Sequence, residues 1–309
     1  MKRRCGKNPS FHAPAAAIIA ALMLPPLLPV HTARAGAGGG AAEKETKEET
    51  VLYVFAHQDD EVCIAARMRS DVAAGRRVEA VWTTRGDKSG DPEVREKEAR
   101  AAMAFVGVPD SALHFLGFED QNSHATLVEA YLKTLEIALK AQPDEVFSNA
   151  YEGGNIDHDA AHFVAAMVSR ALPDNPPHYE FPLYNSYRGT YQVAKFIPRE
   201  GVETLYTPLT DELVDVKIKM LDFYPSQKAI TGILASLVNR KQLKRTGEPY
   251  RRVPAYDYLE PPTDGVLGYE LPANRTPHAF ADFRQAVADF YNSPHNPAGA
   301  GGQTAPAKP

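Results

Sequence analysis

Val51-Leu52-Tyr53-Val54-Phe55 is an unbroken apolar run of strand length. A strand that is apolar at every position, rather than at every second one, is predicted to be buried on both faces. From there hydrophobic period and punctuation alternate in a regular way. A helical stretch from Glu61 to Ala74 closes at Gly75, and Arg77–Thr84 has strand character. Pro92 to Val106 is a charged amphipathic helix that stops at Gly107, and Ala112–Leu116 is a short third strand. Leu127 to Lys140 is helical, with apolar residues at Leu127, Ala130, Tyr131, Leu135 and Leu139, and Glu145–Ser148 is a fourth strand. Short strands separated by helices predict an α/β, Rossmann-like fold: a mostly parallel sheet flanked by helices. Ligands of such sheets gather at the carboxyl ends of the strands. After His178 the pattern loosens, Tyr and Pro become frequent, and mixed strands and helices covering the site are expected.

The ends carry a different signature. Lys2, Arg3 and Arg4 precede an apolar run from about Ala15 to Val30 that contains Pro25, Pro26 and Pro29, followed by Ala33-Arg34-Ala35. Basic residues, a short apolar stretch and a small-x-small site predict a secretory signal peptide over residues 1–35. The run is short and proline-broken for a membrane span, so no stable membrane anchor is expected. Residues 36–50 are Gly/Ala-rich, then charged, and are read as a linker; 51–292 form the catalytic domain; 293–309, rich in Pro, Gly and Ala, are expected to be a disordered tail. The formal charge of the whole chain is −5. Cleavage after Ala35 removes five basic and no acidic residues, leaving 29 Lys and Arg against 39 Asp and Glu, a charge of −10. That balance argues against nucleic acid or an anionic membrane as partner. Only Cys63 of the two cysteines then remains, so stability must come from a core rather than from a disulfide.

Two polar clusters stand out against this frame. His57-Gln58-Asp59-Asp60-Glu61 packs one His and three carboxylates directly behind the first strand. Adjacent carboxylates repel, and a divalent cation removes that cost. His57 and Asp60, three apart, can face one point as the chain turns into a helix, while Asp59 projects elsewhere and is free for chemistry. A helix cap formed by Asp59 or Asp60 would also explain the cluster. The second cluster, Gly153-Gly154-Asn155-Ile156-Asp157-His158, follows the fourth strand, with His162 one turn further on. Here an Asp157 cap is the plain alternative, and His162 is expected to pack or hydrogen-bond behind the site rather than bind metal. Taken together, two His and one carboxylate make three protein ligands with the fourth position open, the pattern of catalytic zinc. Such nitrogen and oxygen ligands also admit other divalent transition metals such as iron or manganese.

These residues resemble the PIG-L/LmbE family of N-acetylglucosaminyl deacetylases. Ala56-His57-Gln58-Asp59-Asp60-Glu61 is similar to the family's Ala-His-Pro-Asp-Asp-Glu, and Asn155-Ile156-Asp157-His158 to its His-Pro-Asp-His. Between them, Thr84-Arg85-Gly86-Asp87-Lys88-Ser89-Gly90 is similar to a Thr-x-Gly-acid-x-Gly turn, one residue longer here. An Arg-bearing helix then runs to Gly107-Val108, and Leu116-Gly117-Phe118-Glu119-Asp120 resembles Leu-Gly-x-x-Asp. The resemblance covers residues 50 to 170 and implies the LmbE-like fold. It implies Zn2+ on His57, Asp60 and His158, Asp59 as general base, and Arg95 and Asp120 at the sugar. Asn155 stands where the family has a His that steadies the oxyanion; its amide can donate a hydrogen bond but carries no transferable proton.

The expected reaction is hydrolysis of the N-acetyl amide of an amino-sugar substrate outside the cytoplasm, in the periplasm or secreted. Three other readings compete. Asn155 favours a non-catalytic or weakly active carbohydrate-binding protein on the same fold. A zinc amidase acting on another envelope amide has the same motifs. A nucleotide-binding Rossmann protein is disfavoured, because no Gly-x-Gly-x-x-Gly follows the first strand.

Overall fold

The computed structural model describes residues 48–229, 231–232, 239–271 and 278–297, all of them in the unit Thr46–Pro309. The expected signal peptide and most of the expected linker and tail lie outside the described residues.

Strand β1 (Thr50–Phe55) is buried at all six positions, as its unbroken apolar run requires. Its alternate residues serve two cores. Leu52 and Val54 face one apolar cluster, and Val51, Tyr53 and Phe55 face the other. β1 pairs in parallel with β2 (Arg77–Thr84) on one side and β4 (Glu145–Asn149) on the other. β3 (Leu113–Phe118) extends the sheet beyond β2, and β5 (His178–Phe181) extends it beyond β4, again in parallel. The full order is β3-β2-β1-β4-β5-β9-β8, with β8 (Leu205–Thr207) and β9 (Glu248–Arg252) antiparallel at the far edge. A two-stranded ribbon, β6 (Tyr184–Asn185) and β7 (Gln192–Val193), stands apart from this sheet. The fold class read from the sequence is the one observed.

Helices α1 (Ala65–Ala73), α2 (Pro92–Val106) and α5 (Asp211–Met220) supply the second core. On the other face, α3 (Leu127–Ala141) and the C-terminal α7 (Phe280–Asn292) pack on α4 (Ile156–Ala171), which is buried from Ile156 to Ser169. A short α6 (Arg240–Thr246) precedes β9. Among the described residues no helix is long and apolar enough to cross a membrane.

Three local expectations are corrected. The helix expected from Glu61 starts instead as a 3-10 turn, Asp60–Ile64, and becomes α-helical at Ala65. The third strand runs on to Phe118, to pair with β2 as far as Thr84. The cap of α4 is Asn155, whose Oδ1 accepts from the Asp157 amide at 2.8 Å; Asp157 points inward. α2 begins and ends as its sequence signals indicate. Asp91 caps it, Pro92 occupies the first turn, and Gly107 closes it in the left-handed region at φ 97°.

The order of the strands brings the site together. The chain runs outward through β2 and β3 on one side of β1, then returns to build β4 and β5 on the other side. The carboxyl ends of β1 and β4 therefore flank the point where strand order reverses, the usual crevice for a ligand in open α/β sheets. The two polar clusters are the loops that leave these two ends.

Candidate metal centre

The loop after β1 is fixed before any ligand is considered. Thr84, at the end of β2, donates to the Ala56 carbonyl through its backbone amide at 3.0 Å and its hydroxyl at 2.8 Å. The Asp60 carboxylate turns back on its own loop. Its Oδ2 accepts from the amides of Ala56 (3.0 Å) and His57 (2.8 Å) and from Asn149 Nδ2 (2.9 Å). With Oδ2 saturated, Oδ1 faces His158 Nε2 at 3.3 Å. Burial pushes the Asp60 carboxyl up, but His158, His57 and the amide donors outweigh burial and hold it well below the usual range. Asp60 is thus an anion oriented by the fold.

His57 is held from the other side. Its Nε2 lies 3.1 Å from both Asp120 Oδ1 and Asp157 Oδ2, while Nδ1 lies 3.9 Å from Asp60 Oδ2. Asp157 also accepts from the Ser123 amide at 3.1 Å, so it joins the start of α4 to the loop after β3. Burial would lower the His57 pKa, but Asp120, Asp157 and Asp60 outweigh it and raise it well above the ordinary value.

The ligand atoms of His57, Asp60 and His158 all lie within 4.8 Å of one another, and all three residues are buried. Zinc bonds of about 2.0–2.2 Å set ligand atoms about 3.3–3.6 Å apart around a tetrahedral ion, so a small contraction suffices. The donor set fits a divalent transition metal: a free carboxylate oxygen and two imidazoles. A second group, His57, Asp120 and Asp157, also brings its donor atoms within 4.8 Å of one another. It shares the residue His57, whose Nε2 faces Asp120 and Asp157, the arrangement of carboxylates that accept from the far nitrogen of a metal-binding imidazole.

Asp59 is not a member of either ligand group and lines the same cavity, about 490 Å³ in volume. Its backbone stands at φ 139°, outside the regions that side-chain-bearing residues favour. Two groups hold it there. Glu61 Oε2 accepts from the Asp59 amide at 3.0 Å, and Arg95 Nη2 lies 3.1 Å from Asp59 Oδ1 while also donating to the Gln58 carbonyl. Burial raises the Asp59 pKa to about 6, with Arg95 opposing. Arg95 is only 2% exposed and is packed against Gly86, where a Cβ would come within 2.8 Å of Nη1. Its guanidinium is therefore committed to the Asp59 loop. Arg95→Ala is expected to cost about 3–5 kcal/mol in urea unfolding, the scale for breaking a buried ion pair, with Arg95→Lys recovering part of the loss. A cost below about 1 kcal/mol would contradict this role.

All seven site residues read from the sequence meet here, since His57, Asp59, Asp60, Arg95, Asp120, Asn155 and His158 line one cavity. Other functional groups were not foreseen. Asp157, a cap only in the alternative reading of its cluster, is a partner of His57. Asn149, buried at the end of β4, orients Asp60; a polar residue closing the apolar run Val146-Phe147 was the available signal. His162 packs behind it and hydrogen-bonds there as expected, with Nδ1 2.8 Å from the Asn149 carbonyl and Nε2 3.0 Å from Tyr258 Oη. Tyr184 lines the cavity from β6 and left no readable signal.

Comparison with known proteins agrees with the fold and with the family resemblance. The family model described as PIG-L, GlcNAc-PI de-N-acetylase, matches residues 52–169. No curated protein matches the chain. Among solved structures, a triple mutant of a deacetylase of the teicoplanin biosynthetic pathway is similar at 19% identity and TM-score 0.55, covering 67% of this chain and 99% of that one. The zinc-inhibited form of the teicoplanin deacetylase Orf2 is similar at 16% identity and TM-score 0.52, over 67% and 100% of the two chains. A conserved protein from Thermus thermophilus is similar at 21% identity and TM-score 0.50, over 67% and 96%. At these identities the structures establish the fold, and the family match spans both metal-centre loops. Residues 52–169, which hold every candidate ligand, are a domain of the PIG-L/LmbE-like deacetylase family.

Proposed function

We propose that the chain is an exported, zinc-dependent N-deacetylase that hydrolyses the N-acetyl amide of an N-acetylglucosamine-type sugar. One observation carries this reading: two loops far apart in sequence bring His57, Asp60 and His158 within bridging distance of one ion, beside a carboxylate, Asp59, that is not needed as a ligand. Zinc is favoured by the donor set, two imidazoles and one carboxylate. The sugar is favoured by the family's described substrate, GlcNAc-PI. Export rests on the leader signals in residues 1–35 and places the substrate among envelope or extracellular amino sugars.

His57, Asp60 and His158 would hold the metal, which when bound acidifies water and polarises the acyl carbonyl. Asp120 and Asp157 fix the ring and tautomer of His57. Asp59 takes a proton from water and returns it to the departing amine. Arg95 and Asp120, implied by the resemblance as sugar contacts, line the cavity with polar atoms already engaged by Asp59 and His57. We assign them first to positioning those groups.

The test is acetate release by the zinc-loaded protein from N-acetylglucosamine, its oligomers and its lipid-linked forms. Release that is abolished by chelation and restored by zinc is expected. A metal-replete protein that binds these sugars and frees no acetate would instead establish the carbohydrate-binding alternative.

A further inference from the structure

The cavity needs a hydrogen-bond donor for the acyl oxygen, and the Asn155 side chain is already largely engaged. Its Oδ1 caps α4, and one of the two hydrogens on its Nδ2 donates to Tyr184 Oη at 3.3 Å. The interaction fixes the direction of the tyrosine. With an oxygen lone pair occupied by Asn155, the single hydroxyl hydrogen of Tyr184 has no acceptor among the described hydrogen bonds. Tyr184 lines the cavity together with Asp59 and the three candidate ligands, and its ring meets the His158 ring edge-on at 5.2 Å between centroids.

This placement is built by the loop that carries the second cluster. Glu152 Oε1 accepts from the amides of Leu183 (2.7 Å) and Tyr184 (2.9 Å), and its Oε2 accepts from Asn185 Nδ2 (3.1 Å). Gly154 presses directly on Tyr184: a Cβ there would lie 1.8 Å from the Tyr184 carbonyl oxygen. One loop, Glu152 to Asn155, thus seats β6 and aims its tyrosine.

We propose that Tyr184 is a catalytic residue, the donor that stabilises the carbonyl oxygen of the scissile amide as it becomes anionic, with Asn155 as its positioning residue. The inference rests on the deacetylase reading. Water adds through its oxygen to the amide carbon, and the carbonyl π pair moves onto oxygen, where the Tyr184 O–H donates without surrendering its proton. One proton of the water passes to Asp59 and then to nitrogen; the carbonyl re-forms as the C–N bond breaks, leaving acetic acid and the amine, and the carboxyl proton then moves to the amine to give acetate and ammonium.

Tyr184→Phe removes one oxygen atom and keeps the ring against His158. Loss of one preorganised oxyanion donor typically lowers kcat about 10²–10³-fold, and that loss is expected here with KM and zinc content little changed. Asn155→Ser, which retains a capping side chain, is expected to lower kcat less and to add little on top of Tyr184→Phe. Acetate binding to the zinc-loaded protein, followed by calorimetry, gives a readout without turnover and should weaken about tenfold in Tyr184→Phe. If the wild type is active and Tyr184→Phe keeps kcat within threefold, the proposal is overturned while the deacetylase reading stands. If the wild type releases no acetate from any substrate, the deacetylase reading fails, and an unchanged acetate affinity in Tyr184→Phe then removes the role of Tyr184 as well.

Discussion

Asp60→Asn is expected to abolish acetate release and to weaken zinc binding by more than about 100-fold, measured by competition with a chromogenic chelator. Even partners in the outer shell of a metal site typically cost 10–100-fold in affinity, and Asp60 is a direct ligand in the arrangement described. The substitution is nearly isosteric, which makes it a fair test. Asp60 Oδ2 accepts three hydrogen bonds, from Ala56, His57 and Asn149. An amide in its place can accept through only one of its two polar atoms, and its charge is gone. The loop should stay near its present course while the oxygen facing His158 loses its affinity for a cation. Asn149→Ala separates the two contributions. It removes one donor to Oδ2 and leaves the ligand, so zinc affinity should fall within the 10–100-fold range. Retention of wild-type zinc affinity by Asp60→Asn would exclude this residue as a ligand, and with it the site as drawn.

Much of this architecture was legible because it follows from short-range rules. The run Val51–Phe55 is apolar at every position since β1 is covered on both faces, and that alone pointed to a parallel sheet. The spacing of His57 and Asp60 is local as well: both lie in the one turn that leaves β1. Their meeting with His158 depended on strand order, which the α/β pattern constrains strongly. The parts that were missed depend on contacts that no local pattern encodes. Asp157 and Asn155 both sit at the start of a helix, and either could cap. The fold decides it by placing His57 and the Ser123 amide where Asp157 can reach them, which leaves the cap to Asn155. Arg95 sits on a helix rich in Glu, whose spacing is equally compatible with an ion pair on the surface; its packing at Gly86 and its approach to Asp59 show that it reaches inward. Tyr184 belongs to a two-residue strand whose position is set by the Glu152 carboxylate. A ribbon that short has no period to read.

Asp59→Asn is expected to lower kcat about 10²–10⁴-fold, the range for losing a general base, with zinc content unchanged and KM within a few-fold. The structure makes this variant clean. Asparagine matches aspartate in shape and tolerates unusual backbone angles about as well, so the φ of 139° need not relax. Its amide oxygen can still accept from Arg95, 3.1 Å away in the parent. The Glu61 contact is to the backbone amide of residue 59 and is untouched. What disappears is the capacity to take up a proton. Asp59 is well suited to that task because it is buried yet borders the cavity, and burial prevails over the Arg95 charge to lift its carboxyl to about 6, closer to the basicity needed near neutral pH than an exposed aspartate. A variant that kept more than a third of the wild-type rate with full zinc content would show that the proton goes elsewhere. A variant that lost zinc would show that Asp59, and not only Asp60, faces the ion.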